Sequence, residues 1–149
     1  MFWDRVAPLY DLAVNTLNRR VYDGTGSAVA RLIRPGDTVL ECACGTGAIS
    51  AAIAPTCAHV VATDYSEGML KQARKKLAKH SNVTVEQADI TDLRYANDSF
   101  DAVVAGNVIH LLSEPGDALK ELKRVVRPGG TIIVPTYVIP KKRAHTMFL

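Results

Sequence analysis

Short apolar runs alternate with segments of helical periodicity along most of this chain, and this alternation limits the possible folds more than any other feature. The pattern predicts five strands, at residues 38–42, 59–63, 83–86, 100–105 and 131–138. Strands that are apolar along their whole length are typical of parallel sheets buried on both faces. Because crossovers between parallel strands are right-handed, the alternation predicts a doubly wound α/β fold.

Helices are predicted between these strands, except for a loop between the third and the fourth, and ahead of the first strand. Ser66 is a good N-cap, and apolar residues recur at helical spacing after it, from Met69 to Leu77. Further helices are predicted at residues 48–54 and 113–126, and two more precede the first strand at about 3–17 and 25–33. We therefore expect one domain, with a helical cover over the sheet or the site (1–34), a cofactor-binding core (35–138) and a short tail (139–149).

Composition excludes several classes of protein. The chain has 149 residues, of which 48% are hydrophobic and 22% are charged, as in an ordinary globular domain. Its net charge of +3 is too small to favour nucleic acid as a partner, and no apolar run approaches the roughly 20 residues of a membrane span. Three cysteines and four scattered histidines fit neither a disulfide framework nor a metal site. We therefore expect reduced thiols, a cytoplasmic location and no metal.

A glycine-containing loop at the end of the first predicted strand is the first candidate ligand site. Glycines in residues 41–47 permit a tight turn and a close approach of a ligand to backbone N–H groups. Asp64 ends the second strand and suits a ribose diol, while Asp89 and Ile90 follow the third strand and suit an adenine. Together these residues predict a nucleoside site. The alternatives are a tight turn without a ligand, a helix cap at Asp64 and a surface turn at Asp89.

These motifs, in their order and spacing, resemble those of class I S-adenosylmethionine-dependent methyltransferases. The opening residues 3–11 are similar to those of the ubiquinone/menaquinone-biosynthesis and phospholipid N-methyltransferase-like group. The resemblance implies a Rossmann-like sheet with strand order 3-2-1-4-5, S-adenosylmethionine as the cofactor and S-adenosylhomocysteine as the product. It covers about residues 3–138 and rests on residues 39–47, 64–70, 88–90, 100–104, 107–110 and 122–130.

The resemblance implies roles for residues of the glycine loop and of the second strand. Gly45 and Gly47 let the methionine part of the cofactor approach the backbone, and Glu41 helps to hold its ammonium group. Asp64 takes the ribose hydroxyls. Ala43 departs from the family, which usually has a glycine there, and we expect a slight shift or a weaker affinity from its extra methyl group.

The remaining expected contacts are with the adenosine and with the methionine amino group. Tyr65 and Met69 are expected beside the adenosine, and the backbone at Asn107 is expected to face the amino group. Tyr10 is expected near the cofactor, with helix packing as the alternative. The full set of expected cofactor-binding residues is Tyr10, Glu41, Ala43, Cys44, Gly45, Gly47, Asp64, Tyr65, Met69, Asp89, Ile90, Asn107 and Val108.

The segment after the fourth strand bears on the acceptor of the methyl group. Residues 107–110 lack the motif of nucleic-acid amino-methyltransferases, so the resemblance implies a small-molecule or lipid-like acceptor. His110 is the best-placed candidate for a general base, and the alternative is a polar residue that lines the substrate mouth. Basic residues near 71–79 and 141–143 allow at most peripheral contact with a membrane.

Length raises a further expectation. Related enzymes have a sixth and a seventh strand after the fifth, whereas only residues 139–149 follow it here. We expect the exposed edge of the fifth strand to be covered by a partner chain, such as a second copy, or by the tail.

Two functions are alternatives to methyl transfer. One is a cofactor-binding pseudoenzyme or fragment that acts by association, and the other is an NAD-dependent oxidoreductase.

Overall fold

The computed structural model describes residues 2–7 and 19–136. From β1 onward helices and strands alternate, except that a loop joins β3 to β4. In chain order the elements are α1 (2–7), α2 (Arg19–Ala30), β1 (Thr38–Cys42), α3 (Ala48–Ile53), β2 (His59–Asp64), α4 (Glu67–Leu77), β3 (Val83–Gln87), β4 (Phe100–Ala105), α5 (Pro115–Val125) and β5 (Val126–Ile133), with 3₁₀ turns at Ala54–Thr56 and Ile109–Leu111.

The five strands form one parallel sheet of order β3-β2-β1-β4-β5, which confirms the predicted fold class and strand order. β1 lies at the centre, where Leu40 pairs with Val61 of β2 on one side and with Val103 of β4 on the other. The winding reverses between β1 and β4. Ligands of such sheets bind in the crevice beyond the carboxyl ends of the strands at this reversal.

Alternate residues of β1 face opposite sides of the sheet and enter two separate cores. Val39 packs in the core that α2, α3 and α4 cover, together with Ile53 and Leu70. Leu40 packs in the core under α5, together with Leu122. Both faces of β1 are therefore buried, which explains why its sequence is apolar almost throughout.

The fifth strand begins and ends five residues earlier than predicted. Residues 131–138 were expected, whereas β5 is Val126–Ile133 and residues 134–136 have no regular structure. Val126 pairs with Phe100 and pairing resumes only at Thr131 with Ala102, so residues 127–130 bulge out of the ladder. The turn signal Arg127-Pro128-Gly129-Gly130 therefore marks a bulge inside the strand and not a loop ahead of it.

The helical cover is described only in part. α2 begins and ends earlier than the predicted helix at 25–33, and the predicted helix at about 3–17 is described only for residues 2–7. Tyr10 and the tail 139–149 lie outside the described residues. None of the helices in the described ranges is long and apolar enough to cross a membrane.

The outer edge of β5 pairs with no other strand of the described residues. An apolar groove of about 660 Å³ lies between this edge and α2. Its lining includes Leu32 and Val134, which expose 57% and 38% of their surface. The described part of the chain thus leaves this edge of the sheet open.

Candidate functional site

A cavity of about 510 Å³ lies beyond the carboxyl ends of the strands, at the reversal of the winding. Its volume falls within the range of about 300–1,000 Å³ that is typical of small-molecule sites. The segments that follow β1, β2, β3 and β4 all contribute to it. Its lining consists of Trp3, Glu41, Ala43, Cys44, Gly45, Thr46, Ala48, Ile49, Asp64, Tyr65, Ser66, Met69, Ala88, Asp89, Ile90, Thr91, Gly106, Asn107, Val108, Leu111, Leu112 and Ser113.

Three residues of the loop between β1 and α3 have a positive φ, and two of them, Ala43 and Gly45, line the cavity. The three φ values are 54° for Ala43, 57° for Gly45 and 93° for Gly47. No atom of a neighbouring residue lies within 4 Å of the place where a Cβ of Gly45 would stand, so a ligand has room to approach the backbone there. A Cβ on Gly47 would come within 2.9 Å of Leu77 Cδ1, so Gly47 serves the packing of the loop against α4.

Asp64 ends β2 with its carboxylate held in place by two backbone donors. The N–H of Gly45 donates to Oδ2 and the N–H of Ser66 donates to Oδ1, both at 2.9 Å. Each carboxylate oxygen accepts more than one hydrogen bond, so both keep acceptor capacity toward the cavity. Burial raises the pKa of Asp64 although these hydrogen bonds lower it. The geometry suits a ligand that brings two hydroxyl donors.

Glu41 places a carboxyl group at the buried end of the cavity. Its side chain is 2% exposed and accepts a hydrogen bond from the hydroxyl of Ser50. Burial raises the pKa of Glu41 to about 8, because the surroundings replace little of the hydration that a charged carboxylate loses. A cationic ligand would stabilise the ionised form, so the residue favours a positively charged group at this end.

The two cysteines of the glycine loop are buried thiols. Burial raises the pKa of Cys42 to about 12 and the pKa of Cys44 well above its usual value. Because only a thiolate is a good nucleophile, neither side chain is activated for nucleophilic chemistry. Cys44 lines the cavity, whereas Cys42 packs in the core under α5.

Asp89 and Ile90, which follow β3, also line the cavity. The N–H of Thr91 and its hydroxyl donate to Oδ1 of Asp89 at 2.9 Å and 2.7 Å, which holds the carboxylate in a tight turn. Ile90 is 8% exposed and packs against the core under α5. The carboxylate suits the hydrogen-bond donors on the edge of a purine, and the apolar side chain suits packing against its face.

The segment after β4 completes the cavity and separates His110 from it. Asn107 has a φ of 50°, and its N–H donates to the carbonyl oxygen of Pro135 at 2.9 Å. Val108 and Leu111 line the cavity, but His110 does not and its side chain is exposed on the 3₁₀ turn. The role of His110 as a general base therefore stays a prediction.

Eleven of the thirteen residues expected from the sequence to bind a cofactor line this one cavity. The other two are Gly47, which packs on α4, and Tyr10, which lies outside the described residues. Sequence reasoning did not single out Trp3 or Leu111, because their contact with the cavity depends on how distant segments pack. Among residues 2–7 and 19–136, no three His, Cys, Asp or Glu side chains are grouped to hold a metal ion.

Residues 40–134 match the family model described as "Methyltransferase domain", which is more than half of the chain. The chain belongs to this family. A demethylmenaquinone methyltransferase from Clavibacter sepedonicus is 42% identical over 141 residues, which cover 93% of this chain and 57% of the relative. A ubiquinone/menaquinone biosynthesis C-methyltransferase from Bdellovibrio bacteriovorus is 35% identical over 137 residues, which cover 89% and 58%.

A solved structure supports the fold of this methyltransferase domain. The S-adenosyl-L-methionine-dependent methyltransferase of Methanococcus maripaludis superimposes with a TM-score of 0.78 and 23% identity, and the match covers 88% of this chain and 63% of that one. The family resemblance inferred from the motifs is confirmed by the family model and the two curated relatives. The chain spans a little under 60% of the length of the two curated relatives.

The residues of the cavity fit S-adenosylmethionine, the cofactor of this family. The buried carboxyl of Glu41 lies where a cationic ammonium would stabilise its charge, and Asp64 presents acceptor capacity for a diol. Gly45 leaves room beside the backbone between these two side chains. Asp89 and Ile90 provide an acceptor and an apolar surface for a purine.

Proposed function

We propose that this methyltransferase domain binds S-adenosylmethionine in the cavity and that the protein transfers its methyl group to a small-molecule acceptor. The observation that carries the proposal is the shared wall formed by Asp64 and Gly45 at the reversal of the sheet, with Glu41 buried beside it. These residues meet three separate requirements of the cofactor, namely a diol acceptor, space at the backbone and a counter-charge. A tight turn without a ligand would require none of them.

Binding and orientation are the tasks that the residues of this chain perform in the proposed reaction. When bound, S-adenosylmethionine supplies an activated methyl group on a sulfonium, which a nucleophile displaces in line. Asp64, held by its two backbone donors, would position the ribose, while Glu41 would anchor the other end of the molecule. Two fixed ends limit the directions in which the methyl group points, and such positioning is worth about 7–11 kcal/mol in favourable cases.

Quinone-type compounds are the proposed class of acceptor. Support comes from the curated relatives, which are named for demethylmenaquinone and for ubiquinone and menaquinone biosynthesis. Apolar side chains at the mouth of the cavity, including Leu111 at 60% exposure, suit an apolar ring. Transfer to carbon forms a carbon–carbon bond as the methyl–sulfur bond breaks, and the acceptor carbon then loses a proton.

Calorimetry with S-adenosylmethionine and S-adenosylhomocysteine tests the binding step. We expect saturable binding of both at one site per chain, and the absence of binding by either would overturn the proposal. Mass spectrometry after incubation with quinols, phenols and lipid amines tests the transfer step. Methylation of a quinol with equal formation of S-adenosylhomocysteine is expected, whereas binding without transfer to any acceptor would favour a role in association.

An oligomeric state and a cellular location are also proposed, each from its own observation. A second copy of the chain covers the open edge of β5, a proposal supported by the apolar groove beside it. Light scattering should then show a dimer that Ile132→Lys dissociates, and a monomer at high protein concentration would overturn this proposal. A cytoplasmic location is also proposed, supported by an odd number of cysteines without disulfide spacing.

A further inference from the structure

We propose that α1 forms part of the cofactor site and that the carboxylate of Asp4 holds it there by latching it to the start of α4. This inference rests on the proposed function, since it names a further wall of the same site. It assigns Trp3 to the contact surface for the adenosine part of the cofactor. The sequence predicts a helical cover over the sheet or the site in this part of the chain, and the packing of α1 on α4 brings Trp3 to the cavity.

Two hydrogen bonds join Asp4 to residues more than sixty positions away. The hydroxyl of Ser66 donates to Asp4 Oδ1 at 2.5 Å, and the N–H of Gly68 donates to the same oxygen at 2.9 Å. Ser66 is 2% exposed and its hydroxyl oxygen accepts from the N–H of Met69 at 3.2 Å, so it caps α4 as predicted. The latch thus engages a residue that the fold already holds in place.

Gly68 permits the two backbones to touch. A Cβ at this position would lie 2.5 Å from Asp4 Cα and 2.6 Å from the Asp4 carbonyl oxygen. Such distances are too short for any side chain, and the atoms in the way belong to a backbone that cannot rotate aside. An alanine at position 68 would therefore push α1 away from α4.

Trp3 connects this latch to the cavity. It lines the cavity together with Asp64, Tyr65 and Met69, and its side chain is 40% exposed. An indole in the same cavity as the carboxylate that would bind a ribose offers a flat apolar face to the attached base. Stacking between a base and an aromatic side chain contributes favourably whatever the base, because every base has a π-face.

The hydrogen bonds from Ser66 and Gly68 also hold the pKa of Asp4 below its usual value. The side chain is therefore an ionised acceptor at neutral pH, and hydrogen bonds to a charged acceptor are stronger than those between neutral groups. A purely structural role for Asp4 would alter the stability of the fold and leave ligand affinity unchanged. The two roles are separated by measuring both quantities on the same variants.

Trp3 is the single tryptophan of the chain, so tryptophan fluorescence reports on α1 alone. Titration of the full chain with S-adenosylhomocysteine should change this emission with the affinity found by calorimetry. We expect Asp4→Asn and Gly68→Ala to weaken that affinity by about tenfold, as the loss of a charge-assisted contact implies. Trp3→Ala, followed by calorimetry, should weaken it by a similar factor.

Matched controls come from the first turn of α5. Gly116 is the second residue of α5 as Gly68 is of α4, and a Cβ on Gly116 would meet no atom within 4 Å. Gly116→Ala and Asp117→Asn should leave affinity and Trp3 emission unchanged. Circular dichroism establishes that each variant is folded, and Trp3→Ala keeps the test decisive if a latch variant fails to fold.

The results for the wild-type chain and for the variants separate this inference from the proposed function. Wild-type binding with no change in Trp3 emission, and with affinities of all three variants within about twofold of wild type, would overturn the inference and leave the proposed function intact. Absence of binding by the wild-type chain would overturn the proposed function and this inference together. Weakened binding by Trp3→Ala and by the latch variants, with unchanged controls, would support both.

Discussion

The carboxylate of Asp64, at the end of β2, accepts a hydrogen bond from the backbone N–H of Gly45 at 2.9 Å. Asp64 is the last residue of β2 and Gly45 lies in the loop after β1, 19 positions earlier in the chain. The bond orients the carboxylate toward the cavity and keeps the glycine loop in the conformation that leaves its backbone accessible. One contact therefore couples the shape of the loop to the acceptor that would bind a ribose.

Replacement of Asp64 by asparagine tests this coupling. Asparagine keeps the size of the side chain but exchanges one charged acceptor oxygen for a donor, which would face either Gly45, Ser66 or the ligand. We expect affinity for S-adenosylhomocysteine to fall about tenfold to a hundredfold, since hydrogen bonds to charged groups contribute about 1.5–3 kcal/mol each. Calorimetry measures it, with Asp117→Asn as the control. An affinity within about twofold of wild type would exclude Asp64 as a ligand contact.

Ala43 is strained in the fold, which is the physical reason for the glycine that the family usually has there. Its φ of 54° lies in the left-handed region, which costs an L-residue about 1–2 kcal/mol. Ala43→Gly removes this strain but makes the unfolded chain more flexible, at about 0.4–1 kcal/mol. We expect a net gain in stability of up to about 1.5 kcal/mol and a few-fold gain in cofactor affinity.

Thermal unfolding and calorimetry measure the two effects of Ala43→Gly. Ala78→Gly is the matched control, because Ala78 is exposed and has the ordinary right-handed conformation at the end of α4. That exchange should lower stability by about 0.4–1 kcal/mol, because glycine makes the unfolded chain more flexible. Destabilisation of similar size at both positions would show that the positive φ of Ala43 carries no strain.

The pKa of Glu41 predicts how the stability of the fold varies with pH. Its pKa rises from 4.5 when unfolded to about 8 when buried, so the folded state binds more protons between these values. The contribution of Glu41 to stability is therefore greatest below pH 4.5 and is lost as the pH rises toward 8. Glu41→Gln removes this titration, so the melting temperature of the variant relative to wild type should increase across that range.

Proton release on ligand binding is a second consequence of the same pKa. A cationic ligand group beside Glu41 favours the ionised carboxylate and lowers its pKa from about 8, so binding near neutral pH should expel a proton. Calorimetry in buffers of different ionisation enthalpy measures this release, which Glu41→Gln should abolish. Equal binding enthalpies in all buffers for the wild-type chain would contradict the placement of a cation at Glu41.

His110→Ala separates cofactor binding from catalysis. Because His110 is exposed and does not line the cavity, affinity for S-adenosylhomocysteine should stay within about twofold of wild type. If His110 acts as the general base, kcat should fall by about 10²–10⁴ while cofactor affinity is kept. An unchanged kcat with the acceptor that is found would reject the general-base role.

Several elements could be predicted because their determinants are local. The apolar runs predicted the first and last residues of β1 and β4 correctly. The side chain of Ser66 caps the N-terminus of α4, as expected. The displaced start of β5 could not be predicted, because the bulge at residues 127–130 depends on pairing with β4. A proline–glycine turn signal has the same local appearance in a loop and in a bulge.

The sequence by itself determined the parallel sheet and eleven of the residues that line the cavity, through strand ends that meet at one edge of a doubly wound fold and through the resemblance to a known family. Tertiary structure alone decided that Gly47 packs on Leu77, that His110 faces outward and that Asp4 joins Ser66. The physical reason is distance along the chain. Hydrophobic periodicity and turn chemistry act over a few residues, whereas the contacts of Asp4 with Ser66 and Gly68 arise only when α1 packs against α4.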